Sequence, residues 1–284
     1  MQITFQLFHS KLKMVKSLLL FLSLILTFEA VSQPVMDCNS KTVRDSLVDI
    51  FEKKASKYGF NHPHWEATWD SLLTICPNIA EAYHEKAMPY IRNGDYAKAF
   101  EFEEKAVDLD PKRWIAYYAF MNCIFSKNYE KALIEFDRAE KLVPNASVMD
   151  HTYSFYRGIS YLELQEFDRA EVEFLKDIRQ QRRGNETNDI HFNSLLYLGI
   201  VYSEMKEFDK AEKYFRDCLQ QYEQLPEANY YLALTLKIVG NRDSDLYFDK
   251  AKQYFSEGYK INEPTEMFVN YPRQISAQEF AVKN

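Results

Sequence analysis

From Ala80 onward apolar residues recur at helical spacing, and the whole set recurs about every 34 residues. Tyr83, Ala87 and Tyr90 lead into the turn Asn93-Gly94-Asp95-Tyr96, after which Ala99 and Ala106 precede Pro111. The next copy carries Tyr117, Met121, Ile124, Tyr129, Ala132, Phe136, Ala139 and Pro144. A third holds Gly158, Tyr161, Phe167, Ala170 and Phe174, and a fourth Leu198, Gly199, Tyr202, Phe208, Ala211, Phe215 and Cys218. The fifth is less regular, with Leu232, Ala233, Leu236 and Gly240, then Ala251, Phe255 and Pro264. Each copy reads as two helices joined by a turn. Upstream, Val43 to Tyr58 and His64 to Ile75 read as two amphipathic helices, a divergent first hairpin with Trp65 and Trp69 on one core face. Downstream, residues 265–284 lose the period and read as a cap or tail.

The small residues explain how such a hairpin closes. Ala87, Gly158, Gly199 and Ala233 let the two helices approach, and Ala99, Ala132, Ala170 and Ala211 are their small counterparts on the second helix. Pro111, Pro144 and Pro264 are placed to stop the second helix, since proline lacks the amide donor. This order of aromatic, Gly or Ala, aromatic, Ala, Phe and Pro resembles the tetratricopeptide repeat, over residues 80–264. The resemblance implies an all-α fold, a right-handed superhelical stack of helical hairpins. Two departures are expected to be local specialisations: a polar connection from Ile178 to Asp189, and an extended turn between Gly240 and Ala251.

Composition narrows the function. Seven glycines and nine prolines in 284 residues disfavour a turn-rich β fold, and 46% hydrophobic content suffices for a core. A net charge of −7 argues against nucleic acid as partner. Lys11, Lys13 and Lys16 precede an apolar run from Leu18 to Phe28, too short to span a bilayer, and Ala30 and Ser32 are the small residues of a cleavage site. Residues 1–32 are therefore read as a signal peptide and residues 33–79 as the N-terminal hairpin, with no membrane span after cleavage and a periplasmic or secreted product. Loss of three lysines and one glutamate brings the charge to −9. In that compartment Cys38 and Cys76 are a candidate disulfide, whereas Cys123 and Cys218 occupy apolar helical positions.

No phosphate loop, nucleophile elbow or His-Glu-x-x-His occurs, and no enzyme, cofactor or metal is expected. His62 and His64, with His84 in the next hairpin, are the histidines weighed as metal ligands and set aside as a weak set. The resemblance places ligand-facing residues at fixed offsets on the first helix of each repeat. These are His84 and Met88, then Tyr118, Asn122 and Phe125, then Phe155 and Ile159, Leu196 and Ile200, and Tyr230. The family's clamp for a peptide carboxylate is absent, because His84, Met88, Thr152 and Tyr156 stand at its positions. The expected role is an exported scaffold that binds a protein or peptide through a concave, aromatic-rich face, as in cell-envelope assembly. An accessory hydrolase or glycan-processing protein with its site in the loop insertions is one alternative, and a purely structural spacer is the other.

Overall fold

The computed structural model describes residues 36–184, 190–261 and 271–281. The expected signal peptide and Pro264 lie outside them. The chain divides into two compact units, residues 1–45 and 46–284. In the described part of the first, Arg44 donates to the carbonyls of Cys38 and Asn39, each at 2.9 Å, ahead of helix α1 (Lys41–Ala55).

The second unit carries α2 (Pro63–Ile75) and five helical hairpins: α3/α4 (Ala80–Arg92, Tyr96–Leu109), α5/α6 (Pro111–Ile124, Tyr129–Leu142), α7/α8 (Tyr153–Glu163, Phe167–Gly184), α9/α10 (Phe192–Glu204, Phe208–Gln221) and α11/α12 (Pro226–Ile238, Ser244–Ser256). Each hairpin packs internally, and its second helix packs on the first helix of the next. The architecture is an all-α stack. A two-residue ladder, β1 (Ser147–Val148) against β2 (His151–Thr152), interrupts it before α7, and the Thr152 hydroxyl caps that helix by accepting from the Phe155 amide at 3.2 Å.

Four hairpins turn in the same way. The amides of Asp95, Glu166, Glu207 and Asn241 reach back to the carbonyls of Tyr90, Tyr161, Tyr202 and Leu236, which closes the first helix in a Schellman cap. That cap needs a left-handed residue, supplied by Gly94 and Gly240 in two cases and by Gln165 (φ 61°) and Lys206 (φ 63°) in the others. A side chain is strained there. Gln165→Gly is expected to raise stability by about 0.5–1 kcal/mol, measured by urea denaturation.

Proline acts at both ends of helices. Asp110 ends α4 and caps α5, and Pro111 opens α5, where its missing amide has no partner to lose. Pro89 lies inside α3, which leaves the Glu85 carbonyl without its intrahelical donor; the Trp65 indole N–H fills the gap at 2.9 Å. Trp65 and Trp69 are buried, as expected of a core face.

Two connections differ from the sequence expectation. Residues 178–184 are the last two turns of α8 rather than a loop, because the run of Arg and Gln there favours helix as long as one side meets water; residues 185–189 lie outside the described set. The turn after α11 is Val239–Asp243, only two residues longer than Met205–Glu207 after α9.

The core runs through the hairpins as a relay. A Cβ built on Gly158 would come within 2.8 Å of the Phe174 ring, and one on Gly199 within 2.6 Å of Phe215. Those phenylalanines, fully buried, then meet a tyrosine of the next hairpin. Phe136 stacks on Tyr156, Phe174 on Tyr197 and Phe215 on Tyr231, with centroids 5.4, 5.9 and 6.1 Å apart.

Candidate functional site

Tyr156, Tyr197 and Tyr231 occupy one position in three successive first helices, α7, α9 and α11, each two residues before the small residue of its hairpin. Packed from behind by phenylalanine, their hydroxyls point to one strip, and the chain's own C-terminal segment lies along it. The Tyr156 hydroxyl donates to the Val148 carbonyl at 3.4 Å, at the end of the strip where Tyr271 sits. Tyr197 donates to the Pro272 carbonyl at 2.6 Å and Tyr231 to the Arg273 carbonyl at 2.8 Å. Two tyrosines of successive hairpins thus hold two consecutive carbonyls. Two turns further along the helices of Tyr156 and Tyr197, Glu163 and Glu204 close on the Arg273 guanidinium, each at 2.7 Å.

The rest of the segment is seated as well. The Tyr271 ring lies against His151 and Phe155, both at 6.4 Å between centroids, and Phe280 packs on Tyr230, Phe248 and Phe255. Arg273 has φ 61°, a left-handed conformation that side chains avoid, so its contacts override its backbone preference.

The family model of the tetratricopeptide repeat matches residues 80–113, and a second of the same description matches residues 193–225. The chain is a tetratricopeptide-repeat protein. Its fold resembles that of PilW, a type IV pilus biogenesis factor, at TM-score 0.57 and 16% identity over 77% of this chain and 93% of that one. It also resembles pilF of Pseudomonas aeruginosa (TM-score 0.57, 19% identity, 75% and 99%) and MamA of Desulfovibrio magneticus RS-1 (0.53, 13%, 63% and 96%). No match is found among the curated proteins.

In this tetratricopeptide-repeat chain the residues expected to face a ligand sit mostly inside. Tyr118, Asn122, Phe125, Phe155, Ile159, Leu196 and Ile200 are buried. Tyr118 donates to Glu104 at 2.6 Å, Asn122 to the Tyr118 carbonyl at 2.8 Å, and Phe125 stacks on Tyr96. His84 is half-buried, its Nδ1 3.0 Å from Glu103 Oε2 and its ring stacked on Trp114. Met88 accepts from the Tyr117 hydroxyl at 4.0 Å. Only Phe155 and Tyr230 of the ten touch the C-terminal segment through their rings. His62 caps α2 by accepting from the His64 amide at 3.1 Å, away from the partner that His84 takes. Cys123 and Cys218 are free thiols in the core.

The tyrosines and glutamates missed by that reading carry a visible signal. Residues 156–163 read Tyr-Arg-Gly-Ile-Ser-Tyr-Leu-Glu and residues 197–204 read Tyr-Leu-Gly-Ile-Val-Tyr-Ser-Glu, the same pattern twice. The next helix keeps Tyr231 but ends in Ile238, so the acidic pair belongs to two hairpins only.

Beside Tyr271 sits the buried His151, with the half-buried His191 against it. Burial, reinforced by the neighbouring His191, holds His151 well below the usual 6.5, and burial also lowers His191, partly offset by Asp150. Both histidines are neutral in the fold, while the unfolded chain takes up protons below about pH 6.5. Their contribution to stability is present above that pH and is lost as pH falls. Burial raises Asp177 and Glu85, which act in the opposite sense but in the lower, carboxylate range. The urea midpoint is therefore expected to drop between pH 7.5 and pH 5.5, and His151→Phe to flatten that slope.

Proposed function

We propose that this chain is an exported scaffold that holds a protein or peptide segment on the face of α7, α9 and α11. The observation that carries it is the pair Tyr197 and Tyr231 with the two glutamates, which grips two consecutive residues of polypeptide, Pro272 and Arg273. Two of those bonds are to backbone carbonyls, present in any polypeptide, and the apolar contacts and acidic pair add selectivity. Export rests on the N-terminal pattern of lysines, short apolar run and small residues at the cut after Ser32. Recovery of a processed chain beginning at Gln33 from the periplasm or medium tests it; a chain that stays unprocessed inside the cell contradicts it. We also propose that Cys38 and Cys76 are joined, supported by the full burial of Cys76 and by Cys123 and Cys218 being the free thiols. A non-reduced digest is expected to yield one Cys38–Cys76 cross-linked peptide.

A type IV pilus factor of the same fold makes an envelope assembly the first place to look for the partner. Residues 33–284 are used to capture proteins from envelope extract, beside Glu163→Lys/Glu204→Lys. A protein held by the native chain and released by the variant, with helical circular dichroism unchanged, supports the scaffold. Nothing held favours a structural spacer, and equal retention by both contradicts binding at this face.

A further inference from the structure

The occupant of this face states what the face accepts. We propose that Tyr271-Pro272-Arg273 is an internal stand-in for the partner, and that the external ligand is a segment with an aromatic residue, proline and a cation in that order, which must displace it. The proposal rests on the scaffold reading above and gives it a ligand chemistry and a restraint.

Each element of that triplet meets a matching feature. The aromatic ring lies against the rings of His151 and Phe155. Proline suits the middle position because its carbonyl is taken by Tyr197 and it has no amide to leave unpaired when buried, as Pro272 is. The cation answers two carboxylates from neighbouring repeats, Glu163 and Glu204. With the segment withdrawn these carboxylates lose the guanidinium that bridges them, and a neutral or acidic ligand does not replace it. Arginine fits better than lysine, because its planar fork serves two acceptors on different helices at once.

The segment also restrains the site. A tethered occupant competes at an effective concentration of roughly millimolar. An external peptide must overcome that. Yet Arg273 is seated in a left-handed backbone conformation, which works against the internal occupant and leaves room for a ligand free of that strain.

The test uses a fluorescent peptide of residues 271–276, YPRQIS, titrated by anisotropy into the intact chain and into intact Tyr271→Ala/Arg273→Ala. The unlatched chain is expected to bind it at least tenfold more tightly than the native chain. YPAQIS, or Glu163→Gln/Glu204→Gln added to the unlatched chain, is expected to lose tenfold or more. Should the double variant lose its helical circular dichroism, Arg273→Gln alone replaces it with the same expectations. Equal binding by native and unlatched chains overturns the proposal, as does no binding by a folded unlatched chain. Capture of an envelope protein at Glu163 and Glu204 together with failure of this peptide would overturn the internal stand-in and leave the scaffold standing. Peptide binding without any captured protein would do the reverse.

Discussion

Phe174→Ala is expected to lower stability by about 3–5 kcal/mol, measured by urea denaturation, because a fully buried ring is removed from a tightly closed site. The ring is clamped between Gly158 and Tyr197. That clamp makes a double-mutant cycle decisive. Gly158→Ala alone forces a Cβ into the ring and is expected to cost about 1–3 kcal/mol. In the Phe174→Ala background the obstacle is gone, and the same change is expected to stabilise by up to about 1 kcal/mol through helix propensity. A change of sign confirms that close approach is why glycine stands there. In the first repeat the equivalent pair is Ala87 and Glu103, with no ring to avoid. Loss of Phe174 also frees the back of Tyr197, so the C-terminal segment is expected to loosen with it.

Arg157→Ala is expected to cost about 3 kcal/mol, the lower end for a broken buried ion pair, since its partners keep some access to water. Arg157 is 5% exposed and joins three carboxylates from two other helices. Its Nε lies 3.2 Å from Glu173 on α8, and its terminal nitrogens 3.3 Å from Asp137 and 3.9 Å from Glu140 on α6. Arg157→Lys is expected to restore only part of the loss, because an ammonium on a flexible stem cannot span all three. The residue therefore ties the second hairpin to the third. Lys86 repeats the device in the first hairpin, where it pairs with Asp70 and lies 3.7 Å from Glu66 on α2.

The hairpins were legible in the sequence because their small residues and aromatics recur at one spacing, and Gly158 and Gly199 stand where the close contacts form. The side of α7 and α9 that meets the C-terminal segment was not. Every residue from Tyr153 to Leu162 is buried, as is every one from Asn193 to Tyr202, so neither helix has a polar stripe to show which side faces what. Offsets carried from the family selected Phe155, Leu196 and Tyr230. Tyr197 and Tyr231, which hold the C-terminal segment, and Tyr156 at the equivalent position of α7 are each one further along and about 100° round the helix. The segment itself has no helical or strand period, and its place is set wholly by tertiary contacts. The buried Asp177 was equally silent: it lies where other repeats carry Ala106, Ala139 or Cys218, and is satisfied by Thr152 and Gln181 at 2.8 and 2.9 Å.

The most direct test of the seated C-terminal segment is the rate at which trypsin cuts after Arg273 in the intact chain, followed by mass spectrometry. A guanidinium held by two carboxylates cannot enter the protease until the segment lifts away. The account predicts that this bond is cut at least tenfold more slowly in the native chain than in Glu163→Gln/Glu204→Gln. Equal rates in the two proteins, both as fast as cleavage after the exposed Lys252, would contradict it.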